Sequence, residues 1–145
     1  MNNTATIFQI NVSRGGVPKR PVLEAVVGPL GIAGDLQKDL KAHGGPTRAL
    51  CLYPVELLAA LRAEGHRIEP GSTGENITTR GLDWGRVVPG ARLCLGDEVE
   101  IEVTGYAGPC TTITQSFKDG DFNRINQGLH AGWSRVYARV LRGGT

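Results

Sequence analysis

The chain lacks closely spaced cysteines, runs of basic residues and long apolar stretches. Its three cysteines, Cys51, Cys94 and Cys110, form no C-x-x-C pair, which argues against a disulfide framework and against a zinc knuckle. This cysteine usage favours the reducing cytoplasm. The first six residues contain no basic segment followed by an apolar one, and no apolar stretch approaches the length of a membrane span. We therefore expect a soluble, unexported protein with no membrane partner.

The charge pattern also restricts the partners. A formal net charge of +2 is too small to imply nucleic-acid binding, and no lysine or arginine run could follow a phosphate backbone. The basic residues are mostly arginines scattered in predicted loops. Because a guanidinium pairs well with phosphate or carboxylate oxygens, we expect a small anionic ligand and no nucleic acid.

The length of 145 residues predicts a single domain large enough to fold without a disulfide or structural metal. The 21 glycines and 8 prolines exclude a helical bundle, since glycine weakens helices and proline breaks them. Strands are predicted over residues 7–12, 21–27, 48–53, 75–78, 92–95, 98–104, 111–114 and 135–141. Most of segment 28–45 is expected to be a long loop.

One helix is predicted, with Pro54 at its first position and Gly65 as the residue that ends it. The polar segment 117–127 predicts at most a short helix. Short strands in this number, with one helix, indicate a mainly β chain folded as a closed or nearly closed β-barrel.

Cys110 is the leading candidate for chemistry. It lies in Gly108-Pro109-Cys110-Thr111, directly after the clearest strand pattern. A thiol placed there by glycine and proline is presented to solvent, which suits a nucleophile or a metal ligand. The alternative is a small buried hydrophobe. For Cys51 and Cys94, each between two apolar residues, the packed strand position is the preferred interpretation.

A second candidate segment is His43-Gly44-Gly45-Pro46-Thr47-Arg48. Glycine lets backbone N–H groups approach an anion, while His43 and Arg48 add hydrogen bonds and charge. The same glycine pair is also typical of an ordinary turn. The sequence leaves both interpretations open.

Two further pairs of residues suggest ligand contacts. Glu75 and Asn76 offer a carboxylate and an amide that could hold the edge of a heterocycle or orient another site residue; the alternative is a solvated strand end or a turn cap. Trp133 and Arg135 could stack on and pair with a ligand, although a tryptophan after glycine is more often packing.

The histidines give little support for a zinc site. His43, His66 and His130 are isolated, and none has a histidine or cysteine two to four residues away. A papain-like Cys/His enzyme would need the fold to bring His43 or His130 to Cys110, which the sequence does not exclude.

The ordered set of motifs resembles the MOSC domains, a family named for the C-terminal domain of molybdenum cofactor sulfurase. The resemblance runs from about Ile7 to Leu141, so the whole chain, 1–145, is interpreted as a single stand-alone bacterial MOSC domain. The segments that carry it are Gly31-Ile32-Ala33-Gly34-Asp35, His43-Gly44-Gly45-Pro46-Thr47-Arg48-Ala49-Leu50, Pro70-Gly71, Gly74-Glu75-Asn76-Ile77-Thr78, Gly81-Leu82, Gly96-Asp97 and Pro109-Cys110.

The resemblance implies a MOSC-type β-barrel with one or two short helices and a working cysteine at Cys110. It implies that this thiol carries sulfur as a persulfide or ligates molybdenum, and it associates the domain with the pterin-based molybdenum cofactor (molybdopterin). Relatives recognise that cofactor, transfer sulfur or take part in reducing N-hydroxylated compounds. The residues expected to bind that cofactor are His43, Gly44, Gly45, Arg48, Glu75, Asn76, Trp133 and Arg135. Trp133 and Arg135 are included for their residue types, and the others lie in the family motifs.

The chain departs from the family pattern at one position. Many members have an arginine three residues before the cysteine, where this chain has Ala107. Arg48, Arg124 or Arg135 could supply the missing charge from another segment. The chain has no room for a pyridoxal phosphate-dependent desulfurase domain, so pyridoxal phosphate is not expected and any sulfur must come from a partner. A separate cysteine desulfurase or a molybdenum enzyme are the partners implied.

The rival hypothesis is a non-catalytic module. In that case the same barrel and anion-binding loop carry a cofactor or sense a small anion, and Cys110 is merely packed. The reactivity of the Cys110 thiol distinguishes the two hypotheses.

Overall fold

The structure is a computed structural model that describes residues 5–14, 17–35 and 45–145. Within these residues the strands are β1 (Thr6–Val12), β2 (Arg20–Val22), β3 (Val27–Gly28), β4 (Gly31–Ile32), β5 (Leu50–Pro54), β6 (Ile77–Arg80), β7 (Arg92–Leu95), β8 (Val99–Ala107) and β9 (Arg135–Arg142). The α-helix, α1, spans Val55–Ala63. The 3-10 helices are Pro46–Arg48, Trp84–Arg86, Thr111–Ser116, Lys118–Gly120 and Phe122–Ile125. The mainly β class is confirmed.

Seven strands form one sheet in the order β2-β1-β6-β5-β9-β8-β7, and β3 and β4 form a separate small ribbon. Strands β5 and β6 are parallel, which is possible because α1 lies in the crossover between them. Every other pair in the sheet is antiparallel. Within the described residues, β2 and β7 each pair with one neighbour only, so no closed barrel is seen and closure stays a prediction.

The central strand β5 is buried along its whole length, as its unbroken apolar sequence requires. Its side chains alternate between two faces. Leu50 and Leu52 enter one core cluster with residues from β6, β8 and β9, whereas Tyr53 enters a second cluster beneath α1. Cys51 lies on the same face as Tyr53, in a small group with Ala107 and Tyr137. This second face carries the candidate site.

Several predicted elements are confirmed. The helix ends as expected, because Gly65 adopts φ +101° directly after its last residues, although Pro54 precedes the first helical residue and closes β5. The hairpin of β7 and β8 is present, with Leu95 opposite Val99. The polar segment 117–127 contains only short 3-10 turns.

Three predicted elements are wrong in detail. Segment 21–27 breaks after Val22, and the predicted long loop contains the β3–β4 ribbon, which is bridged to the C-terminal segment by Val27 and Gly144. Segment 111–114 is a 3-10 helix. Strand β8 stops at Ala107, opposite Arg135, the first residue of β9, so the residues beyond Ala107 have no neighbouring strand with which to pair.

No helix in the described part of the chain is both long and apolar enough to span a bilayer.

Candidate functional site at the exit of strand β8

Cys110 lies in the loop that leaves β8 and is followed at once by a 3-10 helix. Its backbone is extended, with φ −143° and ψ 178°. The side chain is half-buried, and its Sγ lies 2.9 Å from Oγ1 of Thr112. The thiol is therefore reachable from solvent and has a hydroxyl beside it that can donate to a thiolate. This placement agrees with the prediction of a presented cysteine.

Arg135 connects the cysteine loop to a distant loop. Its side chain is buried, with 5% of the residue exposed. The guanidinium donates to the carbonyl oxygen of Thr73 at 2.6 Å, and to those of Gly108 at 3.1 Å and Ala107 at 3.4 Å. Its Nε has no hydrogen-bond partner within the described residues. A buried donor without an acceptor is costly, which makes Arg135 a candidate for binding an additional acceptor.

Tyr137 lies at the centre of the candidate site. It pairs with Cys51 on β5 and with Gly105 on β8, and only 9% of it is exposed. The guanidinium carbon of Arg48 lies 5.5 Å from the centre of its ring. Burial, and then the neighbouring Cys51, raise the pKa of Tyr137 to about 12, against the opposing effects of Arg135 and Arg48. The Cys110 thiol also acts on this pKa. Tyr137 therefore lies between the Arg48 guanidinium and the packed group of Cys51 and Ala107.

The three cysteines differ in their surroundings, and all are free. Cys51 is 6% exposed, and burial raises the pKa of its thiol to about 11. Cys51 thus stays protonated and packed, as predicted. Cys94 also lies in a strand, but its side chain is exposed on β7 and does not pack in the core.

Glu75 is fully buried. Its carboxylate accepts hydrogen bonds from Gly71 N at 3.0 Å, Thr73 Oγ1 at 2.6 Å and Thr78 Oγ1 at 2.9 Å. Burial raises the pKa of Glu75 above its ordinary range, and these donors oppose the shift only in part. Thr73 contacts both Glu75 and, through its carbonyl, Arg135, so Glu75 orders the loop that Arg135 holds.

Asn76 is also buried, with 1% exposed. Its Oδ1 accepts from the backbone N–H of Cys51 at 2.9 Å, and its Nδ2 donates to Asp35 at 2.7 Å. Asp35 forms a buried ion pair with Lys19, with 2.6 Å between Nζ and Oδ1. In this structure the observed contacts of Glu75 and Asn76 are with the protein, and their predicted contact with a cofactor stays a prediction.

Trp133 lies just before β9 and packs against the second core cluster. Its carbonyl accepts a hydrogen bond from the Tyr53 hydroxyl at 2.6 Å. The guanidinium carbon of Arg124 lies 3.9 Å from the Trp133 ring centre, and the same guanidinium donates twice to Glu64, at 2.9 and 2.8 Å. One face of the Trp133 ring is thus covered by Arg124.

The remaining predicted residues are placed as follows. His43 and Gly44 lie outside the described residues. Gly45 adopts φ +83° at the start of the 3-10 helix that ends with Arg48. His66 is buried against Phe117 and accepts a hydrogen bond from the backbone N–H of Lys118, whereas His130 is exposed. In the described ranges no three histidine, cysteine or acidic side chains converge as they would on a metal ion.

Tyr137 and Thr73 are the residues that sequence reasoning missed. Tyr137 had a usable signal: it lies two residues after Arg135 in a strand, so the two side chains share a face. Thr73 had none, because it acts through its carbonyl oxygen and its contact with Arg135 joins segments that are far apart in sequence.

Comparison with known proteins agrees with the motif set. The family model of the MOSC domain matches residues 39–145. The protein YflK of Bacillus subtilis (strain 168) is 33% identical over 131 residues, covering 89% of this chain and 58% of that protein. Protein YiiM of Escherichia coli (strain K12) is 34% identical over 125 residues, covering 83% of this chain and 54% of that protein. The chain thus spans little more than half the length of these relatives.

Solved structures share the fold. The crystal structure of YiiM from Escherichia coli superposes with a TM-score of 0.68 at 26% identity, covering 94% of this chain and 62% of that one. The YUAD protein from Bacillus subtilis gives a TM-score of 0.77 at 16% identity, covering 97% and 89%. At that identity the second likeness concerns the fold alone.

Proposed function

Because the chain belongs to the MOSC domain family, we propose that it is a molybdenum cofactor-binding domain in which the Cys110 thiolate ligates molybdenum. The observation that carries this proposal is that Arg135 donates to the carbonyl group of Gly108, two residues before the half-exposed Cys110, while Arg48 lies over the ring of Tyr137. The cofactor, when bound, supplies the redox chemistry. The chain supplies the ligand, the compensating charge and the orientation.

The residues present fit such a group. A thiolate is a soft donor suited to a transition metal, and a cofactor with anionic oxygen groups needs positive charge nearby. Arg135 offers a buried Nε with no acceptor among the described residues. Arg48 offers a guanidinium whose carbon lies 5.5 Å from the centre of the Tyr137 ring. The hydroxyl of Thr112 lies 2.9 Å from Sγ and can donate a hydrogen bond to it.

Arg135 is our proposed substitute for the arginine that is missing at Ala107. Its guanidinium donates to the carbonyl groups of Ala107 and Gly108, so it brings positive charge to the same part of the loop from a neighbouring strand. Arg124 is less suitable, since Glu64 and the Trp133 ring already occupy it.

Native mass spectrometry of the chain with purified molybdenum cofactor tests the proposal. We expect the wild type and Cys94→Ser to retain the cofactor and Cys110→Ser to lose it. Cys94 is the matched control because it is an exposed thiol on another strand. If Cys110→Ser retains as much cofactor as the wild type, Cys110 is not a ligand of the cofactor. If no form retains the cofactor, the result favours the non-catalytic module that binds a small anion.

Persulfide transport is the second candidate, and the exposure of the Cys110 side chain favours it. The Cys110 thiolate would attack the outer sulfur of a persulfide on a cysteine desulfurase. A new S–S bond would form on Cys110, the desulfurase S–S bond would break, and the desulfurase thiolate would leave. Incubation with a desulfurase and cysteine should then add one sulfur atom to the wild type and Cys94→Ser, but none to Cys110→Ser.

Reduction of N-hydroxylated compounds would be a consequence of molybdenum binding. Each N-hydroxyl group would consume two electrons and two protons and release an amine and water, with a separate redox protein as the electron donor. A molybdenum enzyme remains the proposed partner for sulfur or cofactor transfer. We propose the cytoplasm as the location, where the three free thiols stay reduced.

A further inference from the structure

We propose that Tyr137 is a positioning residue whose ring holds the Arg48 guanidinium beside the cysteine loop, so that the pair binds one oxyanion group of the ligand. This inference rests on the proposed function, because it concerns the same site. It assigns a role to the aromatic face of Tyr137 and none to its hydroxyl.

Arg48 needs such a support. It ends a three-residue 3-10 helix and is an exposed residue. A long side chain in that position loses considerable rotamer freedom when it is fixed on a ligand. Contact with a ring face at 5.5 Å reduces the freedom that remains to be lost on binding, in addition to its direct electrostatic attraction.

Tyr137 is suited to provide this support because it is itself held firmly. It lies in the middle of three hydrogen-bonded strands, opposite Cys51 on one side and Gly105 on the other. The other two tyrosines are placed differently: the hydroxyl of Tyr53 is bonded to the Trp133 carbonyl inside the core, and Tyr106 is exposed.

The position of the ring relates Arg48 to the other site groups. Arg48 lies 5.5 Å from the ring centre, the ring packs with Ala107 at the end of β8, and Arg135 donates to the carbonyl groups of Ala107 and Gly108. Arg135 cannot move freely, since three carbonyl groups hold it. Arg48 is exposed, and its contact with the Tyr137 ring limits where its guanidinium goes.

The test uses molybdate as the probe, in a Cys94→Ser background. The readout is protection of Cys110 from alkylation as molybdate is added, checked by calorimetry. We expect Tyr137→Leu to weaken apparent affinity about 3- to 10-fold, as loss of one partly desolvated cation–π contact predicts. Tyr137→Phe should stay within about 2-fold of its parent, because the ring face remains.

Two further variants show whether the effect passes through Arg48. Arg48→Ala should weaken binding, and Tyr137→Leu added to it should weaken binding no further, since both remove the same element. The matched control is Phe8→Leu, which breaks the other cation–π pair at 5.5 Å, between Arg80 and Phe8 on strands β6 and β1. It should leave molybdate affinity unchanged.

A second measurement needs no ligand. In the NMR spectrum the Arg48 side-chain signals should show a ring-current shift that Tyr137→Phe preserves and Tyr137→Leu removes, and circular dichroism checks that each variant is folded. Absence of the shift in the wild type overturns the inference even if Tyr137→Leu fails to fold. Unchanged molybdate affinity in folded Tyr137→Leu also overturns it. A shift without any molybdate binding by the wild type would support the positioning of Arg48 while contradicting the anion-binding site proposed above.

Discussion

Single residues in this chain owe their properties to a few close neighbours. Cys51 and Cys110 are chemically identical, yet Cys51 lies between packed strands, where burial raises its pKa to about 11. Cys110 lies beyond the end of a strand, half-exposed and beside a hydroxyl. Because only the thiolate is a nucleophile or a metal ligand, burial argues against either role for Cys51.

Glu75 gives a prediction for the pH dependence of stability. Its raised pKa means that the folded chain holds this proton above the ordinary carboxyl pKa of 4.5, where the unfolded chain loses it. The contribution of Glu75 to stability is therefore complete below that value and decreases as the pH rises toward the raised pKa. We expect Glu75→Gln to flatten the pH dependence of the unfolding free energy above the ordinary carboxyl pKa of 4.5, measured by urea denaturation.

Two other variants complete this experiment. Exposed Glu69→Gln is the matched control and should leave the pH profile unchanged. Glu75→Ala should cost about 3 kcal/mol or more, because it leaves three buried donors without their acceptor at about 1–3 kcal/mol each. A Glu75→Gln profile parallel to that of the wild type would show that Glu75 is not the titrating group.

At this scale the sequence predicted the placement of Cys110 but not the surroundings of the other candidate residues. Cys110 was predictable because glycine and proline before it interrupt the strand and present the next side chain. The burial of Glu75 and Asn76 was not, because it depends on donors from β1, β5 and other segments folded over them. Tyr137 resembles any aromatic residue in an alternating strand until the neighbouring strands are known.

Among the elements, the β3–β4 ribbon shows how closely the chain packs on itself. Gly31 adopts φ +116°, and a Cβ added there would overlap the carbonyl oxygen of Ala49, next to β5. Gly34, in the same ribbon region, adopts φ +89° but would meet nothing within 4 Å. The two glycines thus separate the effect of backbone conformation from that of close packing.

We predict different costs for the two alanine substitutions. Gly34→Ala should lower the unfolding free energy by about 1–2 kcal/mol, the cost of a left-handed backbone for an L-residue. Gly31→Ala should cost clearly more, about 3 kcal/mol or above, because the overlap with Ala49 is added to the same cost. Urea denaturation of both variants measures the difference, and equal costs would show that the approach to Ala49 is not needed for stability.

Segment 111–114 was predicted as a strand but forms a 3-10 helix. Its three threonines and one isoleucine favour a strand by residue type. A strand also needs a neighbour with which to form hydrogen bonds, and β9 begins too late to provide one beyond Ala107. Tertiary context therefore decides this element, and the chain turns into a 3-10 helix that buries Ile113.

In the part of the chain that the structure describes, the two larger core clusters share Trp84 as a neighbour. Trp84 packs against both of them, and its ring meets that of Tyr53 edge-on at a centroid distance of 6.3 Å. The clusters lie on opposite faces of β5, so loss of this strand would expose both. We therefore expect the two clusters to unfold together.

Fluorescence of Trp84 tests this expectation. The chain has two tryptophans, so Trp133→Phe leaves Trp84 as the single reporter and keeps an aromatic ring under Arg124. The urea midpoint from Trp84 fluorescence should coincide with the midpoint from far-UV circular dichroism, as in a two-state transition. Separate midpoints would mean that the clusters unfold independently.

At this largest scale, composition was a good guide to fold class and a poor one to topology. Many glycines and short strand patterns indicated a mainly β chain, and the structure confirms it. The order of the strands was not predictable from pattern alone, because β1 pairs with β6, and β5 with β9, across long stretches of sequence. The strand pattern does not indicate which distant strands pair with each other.

The pairing of β5 with β9 also affects how the chain emerges from the ribosome. Leu50 pairs with Ala138, more than eighty residues later, and synthesis adds roughly 5–20 residues per second. For several seconds the nascent chain therefore carries β5, its most apolar strand, with one edge unpaired. A chaperone that shields extended apolar segments would act on this protein during that interval, before the cysteine loop and the strand that holds it can meet.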